Sequence, residues 1–394
     1  MKSIFWFLLI LLFVGGLAKN ANAQNDTSKP VKVAVFIPLY ADAALDSVHS
    51  DTENVNLPRN TIAGLEFYNG VMLAIDSLNL DRAKVDISIY DTKREGQQLG
   101  ELMKRPELAG VGLMIAVITN TAELKIFADQ ALARSVPLIS ATYPNYVGVF
   151  QNPYFVLLNS SFKTHLDGLF AHMQKYYSAS SIIALTKKGG TEDYIKNYIN
   201  ALNKNRTPLK IKWVYIDANK VGEANLIPSL DSTKNNVVFV ASPQENFGLE
   251  VVEKLSSYEN YPITAIGMPT WDAMKELDNP DFKNVDIVFS TPFLYYSQNP
   301  ALSAEVNKNY KERYYSRPSD MVFKGFETTY HFTKLLSKYK DSLVTNISDT
   351  SFTLFNSFKL TPVKLKPTNP AADFIENKKL YFIKKQAGTV KSVI

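Results

Sequence analysis

The residues best suited to holding a small molecule sit in two short polar turns, Thr119-Asn120-Thr121 and Ser140-Ala141-Thr142-Tyr143. Each follows an apolar run with strand character, and the first opens a segment of helical periodicity. A helix N-terminus presents unpaired backbone N–H groups and the positive end of the helix dipole, so hydroxyls placed there suit a carboxylate or another anion. The same triplet reads equally well as an ordinary N-cap. The two readings differ in whether a ligand uses those donors.

Covalent and metal chemistry finds little to work with. The chain has no cysteine, which removes disulfides, iron–sulfur clusters, thiol nucleophiles and zinc–thiolate sites together. Its four histidines, His49, His165, His172 and His331, never form the H-E-x-x-H pair. His165 and His172 stand two turns apart on one expected helix, a poor spacing for two ligands of one metal. The turn from Pro38 to Ala44 has no glycine, so the dinucleotide fingerprint is missing, and neither a G-x-x-x-x-G-K-[ST] loop nor a G-x-S-x-G elbow occurs. Asp91, at a strand end beside Lys93 and Arg94, reads as a solvated carboxylate. These residue types point to binding without catalysis, cofactor or metal.

The elements that must position the two turns follow an alternating pattern. Val31 to Leu39 (VKVAVFIPL) has the unbroken apolar character of a strand buried on both faces. A polar stretch from Ala41 to Asn60 reads as a long loop. In Gly64 to Asn79, Leu65, Tyr68, Met72 and Ile75 recur at helical spacing. Strands at Val85–Tyr90, Val111–Ile118 and Pro137–Ser140 alternate with helices over Gln97–Lys104 and from Thr121 to about Ala133. Strands and helices joined by short connections build a doubly wound parallel sheet. The pattern restarts with strands at Pro153–Leu158, Ser181–Leu185, Ile211–Tyr215, Val237–Val240 and Ile263–Gly267, and with helices at His165–Tyr176, Asp193–Leu202 and Phe247–Leu255. A strand at Val285–Phe293 and two helices, Ala301–Tyr315 and Ser319–Tyr339, precede a tail with β-hairpin character between Phe352 and Lys385. The expected fold class is α/β, with two doubly wound parallel sheets.

The first residues read as an export signal. Lys2 precedes the apolar run Ile4–Val14, Gly15-Gly16 loosens it, and Ala21-Asn22-Ala23 supplies small residues for cleavage before Gln24. That run is shorter than the ~20 apolar residues needed to span a bilayer, so the mature chain is expected in the periplasm with no membrane span. The formal charge of +5 falls by two when Lys2 and Lys19 are removed, and the remaining Lys and Arg are interspersed with acids, so no nucleic-acid footprint is present. Hydrophobic content of 46% and charged content of 21% are those of an ordinary globular chain, and 394 residues are too many for one core.

From Val31 to about Lys340, the chain resembles the type 1 periplasmic-binding-protein fold, and within it the branched-chain amino-acid receptors of ABC transporters. The segments that carry the resemblance are VKVAVFIPLY, FYNGVMLAIDSLN before VDISIYD, VITNTAELKIFADQALARSVPLISATY, and NKNYKERYYSRPSDMVFKGFETTYHFTKLL. The resemblance implies two lobes joined by three crossings around a ligand cleft. Lobe one takes residues 24–154 and 290–340, and lobe two takes 155–289 and the tail, 341–394. By position, it implies that Thr119, Asn120, Thr121, Ala141, Thr142 and Tyr143 hold an amino-acid-like ligand from lobe one, with Tyr194 and Glu245 contributing from lobe two. Departures from the family are Asn120 between the hydroxyls, Lys187-Lys188-Gly189-Gly190 where Tyr-Gly is usual, and the long Ala41–Asn60 stretch. The implied role is a periplasmic solute-binding protein serving an ABC transporter permease. FYNG…AIDSLN is also similar to envelope proteins of this fold, which implies as the alternative a regulator that contacts a peptidoglycan synthase.

Overall fold

The computed structural model describes residues 29–50, 57–295 and 299–393, so the expected leader and its cleavage site lie outside the described residues. Within the described part, strand β1 (Val31–Ile37) alternates its side chains between two cores. Val33, Val35 and Ile37 pack on one face of the sheet, and Ala34 and Phe36 on the other. That two-sided burial is why the segment is apolar without alternation.

Helix α1 (Ala41–Ser50) follows directly where the sequence reads as a loop. Asp91 supplies the reason: its carboxylate accepts the backbone N–H groups of Leu39, Tyr40 and Ala41 at 2.9–3.3 Å and caps the turn. Asp91 is thus a structural cap, not simply a solvated strand end. Residues 51–56 lie outside the described set, and α2 (Arg59–Leu80) begins five residues before the expected Gly64, immediately after Pro58. Then come β2 (Val85–Asp91), the short α3 (Leu99–Leu102), β3 (Leu113–Ala116), α4 (Thr121–Arg134), β4 (Leu138–Ser140) and β5 (Phe155–Leu157). The second series runs α5 (Phe162–Tyr177), β6 (Ser181–Thr186), α6 (Gly190–Asn205), β7 (Lys210–Tyr215), β8 (Asn236–Val240), α7 (Glu245–Ser256), β9 (Ile263–Ile266) and β10 (Val285–Thr291). Helices α8 (Pro300–Tyr314) and α9 (Asp320–Tyr339) precede β11 (Leu360–Val363), β12 (Phe374–Asn377), β13 (Tyr381–Gln386) and β14 (Thr389–Val393).

The strands form two seven-stranded sheets, in the orders β11-β12-β5-β4-β3-β1-β2 and β14-β13-β10-β9-β8-β6-β7. Six neighbouring strands of the first sheet and five of the second run parallel, and antiparallel pairs (β11 with β12, and β13 with β10 and β14) make the sheets mixed at one edge. The chain passes between the sheets three times: after β5, after β10 and, at Lys378–Leu380, after β12. The fold class is therefore the expected one, two α/β lobes joined by three crossings.

Strand membership differs from expectation in two places. The sequence pattern places the strand near Pro153–Leu158 in lobe two, yet β5 pairs in parallel with β4 and β12 of the first sheet. The tail was assigned to lobe two as a whole, but it divides, with β11 and β12 completing the first sheet and β13 and β14 the second. Local periodicity reveals a strand but not its partner. Of the expected hairpin, Thr353–Phe355 has no strand structure; Glu327 of α9 accepts the N–H groups of Leu354, Phe355 and Asn356 and holds the segment as an irregular loop.

Helices α2 and α9 cross at very short range. A Cβ at Gly70 would lie 2.1 Å from the Val322 carbonyl oxygen, and one at Gly325 would lie 2.3 Å from that of Phe67. Two glycines facing each other thus let α9, which follows β10 of the second sheet, return onto the first lobe.

Candidate functional site

A cavity of about 470 Å³ lies at the first two crossings. Its walls come from the carboxyl ends of three second-sheet strands and from the start of α9. Pro243 and Glu245 follow β8, Pro269, Thr270 and Asp272 follow β9, and Pro292 and Phe293 follow β10. Ligands of open α/β sheets collect in this region, because strands end there and loops diverge. Asn159, Ser160, Phe162 and His165 line it from the first crossing and α5. Asp320 and Lys324, four residues apart on one face of α9, close it from lobe one.

The charged groups are arranged across the lobes. Lys324 holds its ammonium 4.0 Å from the centroid of the Phe293 ring, a cation–π contact. Burial pushes that ammonium down to about 8, against the pull of the Asp320 and Asp272 charges. Asp272 accepts the Thr291 hydroxyl at 2.7 Å, and burial pushes its carboxyl upward. Burial likewise raises Asp320, with Lys324 opposing. His165 pairs Nδ1 with the Ser290 hydroxyl at 2.8 Å and is held by burial at about 4, so it is neutral near pH 7. The Thr270 hydroxyl is buried with no hydrogen-bond partner among the described residues. Three carboxylates, one ammonium and an unused hydroxyl can hold a small polar molecule, above all one carrying an amine. No group of three or more potential metal ligands occurs among the described residues.

The residues expected from the sequence are distributed differently. Glu245 lines the cavity, and Pro144, next to Tyr143, does too. Asn120 is the N-cap of α4, its side chain accepting the Glu123 N–H at 3.0 Å. Thr119 gives both its N–H and its hydroxyl to the Glu123 carboxylate at 2.9 Å. Glu123 is in turn ion-paired with Lys93. The anion expected at this helix N-terminus is thus supplied by the chain itself, a variant of the capping box. Thr121 and Tyr143 share a hydroxyl–hydroxyl bond of 3.1 Å at the surface. Thr142 donates its hydroxyl to the Ile118 carbonyl, and its own carbonyl accepts from Asn159. Ala141 is fully buried in the core. Tyr194 is 46% exposed, stacks on Tyr198 and does not line the cavity.

Lobe two repeats the arrangement. Glu192, in the first turn of α6, accepts the Ser242 hydroxyl at 2.6 Å and pairs with Lys187 at 3.4 Å, both charged side chains being buried. A Cβ at Gly189 would lie 2.0 Å from the Glu192 carboxylate, so Gly189 makes room for it. The Lys187–Gly190 departure noted in the sequence therefore houses a buried ion pair. Sequence reasoning missed Asp272, Asp320, Lys324 and Phe293. The Asp320/Lys324 spacing was visible, but nothing local ties it to Asp272.

No protein-family model matches the chain, and no curated protein does. Solved structures do. LivJ, a branched-chain amino acid transporter substrate binding protein of Streptococcus pneumoniae in complex with isoleucine, aligns over 93% of this chain and 99% of its own, with a TM-score of 0.51 and 14% identity. An ABC transporter substrate-binding protein of Desulfitobacterium hafniense in complex with Leu aligns over 92% and 99%, with a TM-score of 0.57 and 11% identity. A branched chain amino acid ABC transporter periplasmic ligand-binding protein of Burkholderia xenovorans aligns over 92% and 95%, with a TM-score of 0.57 and 12% identity. The fold is that of the type 1 periplasmic binding proteins, and these neighbours are substrate- or ligand-binding proteins.

Proposed function

We propose that this chain is a non-enzymatic, exported solute-binding protein that captures a small polar ligand in the cavity at its crossings, probed below with amino-acid-like zwitterions, and delivers it to an ABC transporter. The observation that carries the reading is the placement of Lys324 and Asp320 on lobe one opposite Asp272 and Glu245 on lobe two, in one cavity. A ligand whose carboxylate meets Lys324 and whose amine meets Asp272 or Glu245 contacts both lobes at once and stabilises the closed arrangement over the open one. Three acids against one lysine favour a solute with net positive charge. In this reading Thr121, Tyr143 and Pro144 belong to the rim, while Thr119 and Asn120 serve the helix cap. The apolar leader, Ile4–Val14, supports export, and among the described residues no helix is long and apolar enough to cross a membrane.

One observation favours the alternative, an envelope protein of the same fold that contacts a peptidoglycan synthase. Two helix N-termini that follow strands, those of α4 and α6, carry their own glutamate paired to a lysine, so the anion capture implied by the resemblance is closed from within.

The first test is mass spectrometry of small molecules released on denaturing the purified protein, followed by titration calorimetry with the released solute. Each charge-assisted bond contributes about 1.5–3 kcal/mol, so Lys324→Ala and Asp272→Asn are each expected to weaken binding by roughly tenfold or more, with melting temperatures close to the parent's. No released solute, and no binding of zwitterions or amines, shifts the balance to the envelope alternative.

A further inference from the structure

A second concavity, of about 590 Å³, shares no residue with the cleft and lies between α5 and the third crossing. Four lysines line it: Lys175 on α5, Lys359 ahead of β11, and Lys378 and Lys379 on the crossing itself. One acid, Asp167, faces them. Asp167 is already answered by Lys163 at 3.0 Å and Arg206 at 3.7 Å, and Lys378 by Glu376. Lys175, Lys359 and Lys379 have no ion-pair partner among the described residues. No carboxylate among the described residues neutralises these three ammonium groups, although the Lys379 ammonium lies 4.9 Å from the Tyr381 ring centroid, and the concave surface between them concentrates their field.

The wall of the groove is aromatic and shallow-sided. The His172 ring stacks on Phe382 at 4.2 Å and 13°, and its Nε2 is buried without a partner. Gly168 and Ala171 leave α5 without bulk at this point; a Cβ at Gly168 would lie 2.5 Å from the Leu380 side chain. Tyr176, 43% exposed, stands beside Lys175 with the lysine ammonium 4.7 Å from its ring centroid. Tyr176 also packs against the His172 ring at 4.7 Å, so ammonium charge and aromatic surface lie side by side and suit the two parts of one ligand.

We propose that this groove binds a phosphate-bearing organic anion, its dianionic head held by Lys175, Lys359 and Lys379 and its flat apolar portion laid against Tyr176. The site is independent of the cleft, so it stands whether or not the cleft takes a solute. Ammonium–phosphate bonds are charge-assisted and strong, and an aromatic face beside them selects an aryl over a bare phosphate.

Titration calorimetry with phenyl phosphate, inorganic phosphate and phenol tests this on the whole mature chain. Phenyl phosphate is expected to bind about tenfold tighter than inorganic phosphate, with phenol not binding, and its affinity is expected to fall as salt rises. The triple change Lys175→Ala, Lys359→Ala, Lys379→Ala is expected to weaken phenyl phosphate by at least about tenfold, while the three arginine counterparts retain binding. Tyr176→Ala is expected to bring phenyl phosphate down to the level of inorganic phosphate and to leave the latter unchanged. All these residues are at least partly exposed, and an unchanged thermal melt confirms that each variant folds. Absence of saturable phenyl phosphate binding, or equal affinity in the triple alanine variant, overturns the proposal; an unaffected Tyr176→Ala variant overturns its aromatic half.

Discussion

Glu123 shows how a single side chain decides what a turn can do. The sequence reads Thr119-Asn120-Thr121 both as ligand donors and as an N-cap at a helix start, and the structure shows the cap: the Asn120 side chain accepts the Glu123 N–H. What spacing alone left open is which acceptor takes the remaining donors. The acceptor is four residues away, on the same helix, where Glu123 reaches back to Thr119 and is ion-paired with Lys93. The capping-box pattern was legible in N-T-A-E, and it is the signal that could have reassigned Thr119. Removing the carboxylate in Glu123→Ala leaves the Thr119 donors and a half-buried Lys93 without their partner. The expected result is a loss of about 1–3 kcal/mol of stability, measured by chemical denaturation, with solute affinity nearly unchanged, since the proposed cavity does not include this turn. A large loss of affinity with an unaltered denaturation midpoint would put the ligand at the α4 N-terminus after all. Asp272, Asp320 and Lys324 were beyond the reach of spacing for a different reason. Forty-eight residues and a crossing separate Asp272 from Asp320, and only the assembled sheets make them neighbours.

At the scale of elements, most strands and helices were legible because a parallel strand buried on both faces is an unbroken apolar run and a surface helix keeps its 3.6-residue stripe. The failures share a cause. β5 was seen as a strand but placed in the wrong sheet, and the tail was treated as one unit although β11–β12 and β13–β14 edge different sheets. Pairing is a long-range property that a local pattern does not carry. The helix at Ala41–Ser50 was hidden because its cap, Asp91, lies fifty residues away. The α2–α9 crossing gives the sharpest test at this scale. In Gly325→Ala, the new methyl group meets the Phe67 carbonyl oxygen at 2.3 Å, and backbone cannot swing aside as a side chain can. The gain in helix propensity, about 1 kcal/mol, is outweighed by the forced separation of two helices, and a net loss of about 3 kcal/mol or more is expected. A melting temperature equal to the parent's would mean that α9 does not sit against α2 as described.

For the whole molecule, three buried histidines weaken the fold in acid. Burial holds His165, His172 and His331 at about 4, below their ordinary 6.5, with the Lys175 charge adding to the effect at His172. A base whose folded value is lowered takes up its proton more readily when unfolded. Its stabilising contribution is therefore complete above about pH 6.5 and is lost as pH falls toward 4, amounting to about 3 kcal/mol per histidine. Denaturation midpoints are expected to drop across that window, and His331→Gln is expected to flatten the drop. Glu327, raised by burial to about 7, works against this drop, so the comparison decides: a His331→Gln midpoint that falls as steeply as the parent's would contradict the burial of that ring.

In the proposed reading, a ligand held by opposing charges on either side of one cavity draws together two lobes joined by three crossings. Small-angle X-ray scattering of the protein, with and without a saturating amount of any solute released on denaturation, measures this directly. A smaller radius of gyration in the bound state, abolished in Lys324→Ala, is the result predicted. An unchanged radius despite saturation by calorimetry would contradict capture between the lobes.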